Sequence, residues 1–405
     1  MEDIIKIFGG SLIAGLIITA IINAFKHHGF GLVNIIKNTF GALFLFSASV
    51  KAIDPTGTAI KMAEYFEELH ILFMVPLSQF FSVSMIVLEF LLGLALILAW
   101  RKNLTLWALI AMNVFFTFLT GYTTVTGKVT DCGCFGDFIK QTPLESFIKD
   151  LILVALLAII YFGRNKIKEV FSDKKSLLAL LVVGAGFLFF NFNNFYFDKP
   201  AVDFRPYAVG KDINAQRVVV PDVLDNGFSF KNIKTGELKR VSVKNGWSEY
   251  TETKKDTLNW EFIDQDNIVL EKGKPAVIEN YAAFNRQGDE VTDELLGEKG
   301  YSIWVLAKHV DESYKEAWVK VKELETFATA NNIRMYAFTS TVYADSDVFK
   351  KENGLSFPFY EADEVLIKTV IRANPGVLLL KNGKVIGKWH HKHIPTVNDI
   401  KILIN

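Results

Sequence analysis

Two cysteines are all this chain contains, and they stand one residue apart in Asp131-Cys132-Gly133-Cys134-Phe135-Gly136-Asp137. Thiolates are nucleophilic, oxidisable and metal-binding, so dithiol chemistry within this chain is confined to that run. Gly133 permits the sharp turn that brings the two sulfurs together, although so small a ring is hard to close with ideal disulfide geometry. A strained, exposed disulfide is oxidising and prone to exchange, whereas a relaxed one is structural. A third reading is half of a tetrahedral metal site completed by Asp131 and Asp137. A closed zinc site prefers more sulfur or nitrogen, no histidine is near in sequence, and no metal is expected. Spacing alone leaves these readings open.

Glu89 is the other chemical residue, placed about midway along the apolar run Leu77 to Trp100. A carboxylate at mid-bilayer depth is costly and faces a bundle interior, so it is a functional candidate, with a hydrogen-bonded helix-holding carboxyl as the bland alternative. Ser47, Ser49 and Lys51 on one helix, and Asn113, Thr117 and Thr120 on another, are candidates for the same interior. Lys51 lies near its helix end, where it either snorkels outward or turns in to pair with Glu89. His390, His391 and His393 read as an exposed polar strand end rather than metal ligands, because alternation separates neighbouring side chains.

These residues need a membrane to hold them. A chain of 405 residues with 35 Phe and a mean hydropathy of +0.25 is too apolar to be wholly soluble. Its 44 basic and 44 acidic residues cancel, which argues against a nucleic-acid or polyanionic partner. About six segments read as spanning: Ile4 to Phe25, Val33 to Ile53, Leu77 to Trp100, Leu104 to Val125, Phe147 to Phe162 and Ser176 to Phe195. The first is too long for a signal-peptide core and reads as a retained helix.

The connections Lys26 to Lys37, Arg101-Lys102 and Arg164 to Lys175 are basic, while the alternate loops carry Asp54, Glu64, Glu67, Glu68, Asp131, Asp137 and Glu145. The positive-inside rule then places the cysteine loop and everything after Tyr196 in the periplasm of a bacterial inner membrane, an oxidising compartment. Lys61 to Met74 has helical apolar spacing and reads as a loop helix packed on the bundle top.

From Lys199 the composition becomes globular. Strand, turn and strand signals over Phe228 to Val243 point to a small β-rich element to about residue 275. After it come a hairpin at Phe284 to Val291, a buried strand at Tyr301 to Ala307, an amphipathic helix at Ser313 to Ala330, a strand from Ile333, a Pro-led strand from Asn374, a Lys-Asn-Gly turn, a further strand and a helix from about Thr396. The expected organisation is an N-terminal helix (1–30), a four-helix membrane core (31–170), a sixth spanning helix (171–198), the β-rich element (199–275) and an α/β domain (276–405).

That last order, with Ala373-Asn-Pro375-Gly-Val-Leu-Leu-Leu-Lys-Asn-Gly-Lys-Val, resembles the thioredoxin fold. The resemblance makes Pro375 a cis-proline candidate and Asn374 with Pro375 a partner-binding edge. A thioredoxin's Cys-x-x-Cys would fall at His309-Val-Asp-Glu-Ser313, where this chain has no cysteine. In the membrane half, Phe46-Ser47-Ala-Ser-Val-Lys51-Ala-Ile-Asp54-Pro55, the Glu89 helix and the cysteine run together resemble the DoxX/MauE-like membrane family, in a Bacteroidetes-type fusion to a thioredoxin-like periplasmic domain. The resemblance implies a four-helix bundle and a part in disulfide formation or quinone-linked redox chemistry. Cys132 and Cys134 are then the redox candidates, Glu89 is the family-like intramembrane carboxylate and a quinone is the candidate cofactor. The alternative is a non-catalytic, membrane-anchored adaptor whose thioredoxin-like domain docks a periplasmic protein.

Overall fold

The protein is described from a computed structural model covering residues 2–26, 30–127, 133–136, 138–139, 141–197, 202–243, 246–278 and 281–404. Cys132, Asp131 and Asp137 of the cysteine run therefore lie outside the described residues. The membrane half consists of α1 (Glu2–Lys26), α2 (Leu32–Ile53), α3 (Pro55–Glu68), α4 (Ser78–Leu98), α5 (Lys102–Thr126), α6 (Pro143–Phe162) and α7 (Asp173–Phe197).

Among the described residues, five helices are long and apolar enough to cross a membrane: α1, α2, the run Leu72–Leu98 containing α4, α5 and α7. The expected spanning segment at Phe147 to Phe162 is not one of them. Its helix, α6, begins earlier at Pro143 and carries Glu145, Lys149 and Asp150 within its 20 residues, which lowers its apolarity. At about 1.5 Å per residue its 20 residues run about 30 Å, shorter than the 22 of α2 and the 25 of α5. It packs against α5 and α2, so that α2, α4, α5 and α6 form a closed four-helix ring, with α1 outside α2 and α7 outside α4.

Small residues set the helix spacing. A Cβ on Gly93 of α4 would lie 2.9 Å from the Phe44 Cβ and 3.0 Å from the Gly41 carbonyl of α2, and one on Gly41 would lie 2.5 Å from the Ile97 Cγ1. Such contacts let two backbones approach as only small residues allow. One end of the ring is basic. Lys37, buried in α2, donates to the carbonyls of Leu96 (3.1 Å) and Ile97 (2.7 Å) at the end of α4, and Lys102 donates to those of Arg164 and Ile167. Lysines there satisfy helix-terminal carbonyls as well as setting loop charge. The opposite end carries α3, the cysteine loop and the soluble domain. The expected loop helix is α3, and it starts at Pro55 rather than Lys61 because Asp54 caps it, accepting from the Gly57 amide at 3.0 Å.

The soluble half opens with α8 (Ile213–Arg217) and a three-stranded antiparallel sheet of β1 (Val223–Asn232), β2 (Leu238–Ser242) and β3 (Trp260–Glu271) in the order β2-β1-β3, with α9 (Trp247–Lys255) between β2 and β3. The rest comprises β4 (Ala283–Phe284), α10 (Thr292–Gly297), β5 (Tyr301–Ala307), α11 (Lys315–Ala330), β6 (Arg334–Thr339), α12 (Tyr343–Glu352), β7 (Phe359–Ala362), α13 (Glu364–Val370), β8 (Gly376–Lys381), β9 (Lys384–His390) and α14 (Val397–Ile404). The six-stranded sheet runs β4-β7-β6-β5-β8-β9, with β5 parallel to β6 and antiparallel to β8.

Tyr301–Ala307 is apolar almost throughout because it is buried on both faces. Ile303 and Val305 meet Trp318, Val321 and Leu324 of α11, while Trp304 and Leu306 meet Ile367 and Val370 of α13 together with Tyr207 and Ile213. A β-α-β unit followed by an antiparallel hairpin, with the Asn374–Pro375 peptide in cis at the head of that hairpin, is the thioredoxin-like arrangement.

Candidate functional site

The described part of the cysteine loop is built as consecutive turns. The Gly136 amide donates to the Gly133 carbonyl at 3.0 Å, and Phe138 donates to Phe135 at 3.2 Å. Gly133 has φ +67°, in the left-handed region that glycine adopts without a steric cost. A Cβ there would also meet the Lys61 Cγ of α3 at 3.1 Å. Phe135, only 2% exposed, anchors the loop by inserting among Leu43, Phe44, Leu153 and Leu157 of the ring. Beside it, Cys134 is half-buried, and its carbonyl accepts from the Ser47 Oγ of α2 at 3.1 Å.

Ser47 and Lys51 are four residues apart and share one face of α2. Lys51 turns inward rather than snorkelling: its Nζ lies 2.5 Å from the Glu89 Oε2 of α4, with both side chains 6% exposed. Glu89 thus meets Lys51 across the α2–α4 contact, deep in the bundle interior. A second buried pair escaped the sequence reading. Lys149 contacts Asp150 on α6, and Asp150 Oδ2 accepts from the Thr120 Oγ1 of α5 at 3.0 Å. The available signal was two adjacent charges inside an otherwise apolar helix.

Both pairs border one cavity of about 120 Å³, also lined by Ser47, Asn113, Thr120, Cys134 and Phe135. Met62, Phe66, Met85, Phe115 and Phe116 supply its apolar wall. Ser49 and Thr117, expected in the same interior, instead bond back to carbonyls of their own helices. Asn113 Oδ1 and Thr58 Oγ1 are buried cavity-lining acceptors with no hydrogen-bond partner among the described residues. Burying such atoms without partners is costly, which marks a place where a polar group of a ligand would fit.

Above the loop, Arg372 of the thioredoxin-like domain reaches Asp54. Its Nη2 is 2.6 Å and its Nε 3.2 Å from Oδ2, and its Nε is 3.3 Å from Oδ1. Burial alone would raise the Asp54 carboxyl, but the nearby charges of Arg372 and Arg205 outweigh it and hold the group well below the usual carboxylate range. Arg205 is itself paired with Asp203 (2.7 Å), which also accepts from Lys388 at 3.0 Å.

In the domain itself, the cis Asn374–Pro375 peptide faces the loop where a thioredoxin carries its thiols. Asn374 Nδ2 donates to the His309 carbonyl at 3.0 Å, and the Tyr314 amide donates to the Asn374 carbonyl at 2.9 Å. That loop is His309 to Ser313, and the Ser313 Oγ accepts from the buried Trp318 Nε1 at 2.7 Å. Of the three histidines at the end of β9, His393 is exposed as expected, whereas the other two are packed. His390 is 9% exposed, and the half-buried His391 ring lies against Tyr314. Burial, with the charges of Lys392 and His393, lowers His391 to about 4, so it is neutral at pH 7.

Residues 30–163 match the family model of methylamine utilisation protein MauE. Over 130 residues the chain is 29% identical to protein TlpB of Flavobacterium psychrophilum, a match that takes in 31% of this chain and 35% of that relative. Among solved structures, the thioredoxin domain of a thiol-disulfide oxidoreductase from Bacteroides vulgatus matches at 16% identity with a TM-score of 0.25, over 31% of this chain and 93% of that one. StoA from Bacillus subtilis matches at 16% identity and a TM-score of 0.23, over 31% of this chain and 96% of that one.

Proposed function

We propose that this membrane chain, which carries a MauE-family domain at residues 30–163 and a thioredoxin-like domain at its C-terminal end, exchanges thiols with a periplasmic partner through Cys132 and Cys134. The observation that carries this reading is that Cys134 borders the same intramembrane cavity as the Lys51–Glu89 and Lys149–Asp150 pairs. A partner's dithiol attacks the Cys132–Cys134 disulfide and passes through a mixed disulfide, leaving the partner oxidised and the pair reduced. Restoring the pair releases two electrons and two protons, and no second dithiol in this chain can take them.

A quinone would supply the two-electron acceptor. The cavity suits its chemistry: an apolar wall for the ring, the ammonium groups of Lys51 and Lys149 as donors to a carbonyl, and Asn113 Oδ1 as an acceptor for a hydroxyl. Ser47 holds the cysteine loop to α2, and Glu89 fixes the direction of Lys51. The basic end of the ring supports a cytoplasmic assignment for that end and a periplasmic one for the domain. Thiol alkylation in native membranes tests the reading. The reduced pair is expected to accumulate when respiratory quinone is depleted, and an unchanged oxidation state would reject it.

A second reading, a membrane-anchored adaptor, draws on the absence of cysteine from His309 to Ser313 and on Asn374 Oδ1 lacking a partner among the described residues. On that reading a Cys132→Ser, Cys134→Ser double variant keeps full function.

A further inference from the structure

The soluble domain touches the cysteine loop from above. Gly133 and Gly136 of the loop line one cleft, of about 70 Å³, with Val365 and Thr369 of α13 and with Arg372. Phe204, in the segment leading into the domain, meets Phe138 of the loop edge-on at 4.9 Å between ring centroids. The Asp54–Arg372 pair closes the arrangement, with side-chain exposures of 18% and 6%. The pair sits close on the backbone of α3, since a Cβ at Gly57 would lie 2.7 Å from Asp54 Oδ2 and 2.9 Å from Arg372 Nη2. Two-pronged Arg–carboxylate contact fixes orientation as well as supplying attraction. Together with the Phe138–Phe204 contact it makes a small, polar-rich junction, and such interfaces permit relative motion.

We propose that the thioredoxin-like domain is a cover for the cysteine loop, latched by Asp54 and Arg372, so that a protein-sized thiol reagent reaches the half-buried Cys134 more slowly than a small one until the latch opens. Arg372, three residues before the cis-proline, is thereby engaged within the chain by Asp54 at the start of α3. A protein partner gains access only by releasing Arg372 from Asp54. This holds whether or not the cysteines carry electrons, so it stands or falls separately from the exchange reading.

The test uses the full chain in membrane vesicles, in a Cys132→Ser background where Cys134 is the remaining thiol. After mild reduction, labelling by N-ethylmaleimide is compared with labelling by a long polyethylene-glycol maleimide. Arg372→Ala and Asp54→Asn are each expected to speed the long reagent by about tenfold or more while leaving the small one within about twofold. Exchanging the charges, Asp54→Arg with Arg372→Asp, is expected to slow the long reagent again. If the single variants do not fold, Gly57→Leu wedges the pair apart without altering either charge and is expected to give the same increase. Equal long-reagent rates in the parent and in the folded variants would overturn the proposal.

Discussion

Replacing Lys51 with methionine is expected to destabilise the membrane half by about 3–5 kcal/mol, because it leaves the Glu89 carboxylate buried without its counter-charge. Both side chains are 6% exposed, so bulk water gives the stranded carboxylate little of the missing contact. Replacing both partners, Lys51→Met with Glu89→Leu, removes the uncompensated charge along with the attraction, and most of the stability is expected to return. Thermal unfolding of the three variants in detergent reads this directly. If the double variant is stable yet its cysteines no longer respond to quinone, the pair serves the redox site rather than the fold. Wild-type stability in Lys51→Met alone would mean that Glu89 is held neutral and the ion pair is not formed.

Gly93→Val is expected to be comparably damaging for a steric reason. Its added carbons would press on the Phe44 Cβ, the Gly41 carbonyl and the Leu45 amide of α2, two of them backbone atoms that cannot turn aside. Overpacking of this kind costs about 1–3 kcal/mol, and more where the backbone itself must move. Glu89 stands one turn before Gly93 on α4, so a shift of α4 against α2 also moves the carboxylate away from Lys51. Gly10→Ala in α1 is the matched control, since a Cβ there meets nothing within 4 Å. Equal unfolding midpoints for Gly93→Val and Gly10→Ala would show that α2 and α4 do not cross at these glycines.

Much of this was legible in local sequence. Apolar runs of membrane length, basic and acidic loops in alternation, and the Asn-Pro-Gly-Val-Leu-Leu-Leu strand with its Lys-Asn-Gly turn each depend on neighbours in the chain. The direction of Lys51 was not legible, because a lysine near a helix end has a favourable outward and a favourable inward state, and Glu89 on another helix decides between them. The Lys149–Asp150 pair was passed over because a helix with charges at its start reads as a short span rather than a polar wall. The strand Phe359–Ala362 and helix Glu364–Val370 are too brief for periodicity to announce them. The Asp54–Arg372 contact joins residues 318 positions apart and depends on how two domains meet, which no local pattern encodes.

The central claim is that Cys132 and Cys134 meet a partner's thiols, and trapping the exchange tests it most directly. With one cysteine of the pair replaced by serine, the other has no neighbour to resolve a mixed disulfide, so the adduct persists. Membranes expressing Cys132→Ser or Cys134→Ser, quenched in acid and run without reductant, are predicted to show an adduct that thiol reductant removes and that the double variant lacks. Single variants that form no adduct, while the double variant retains full function, would contradict the account.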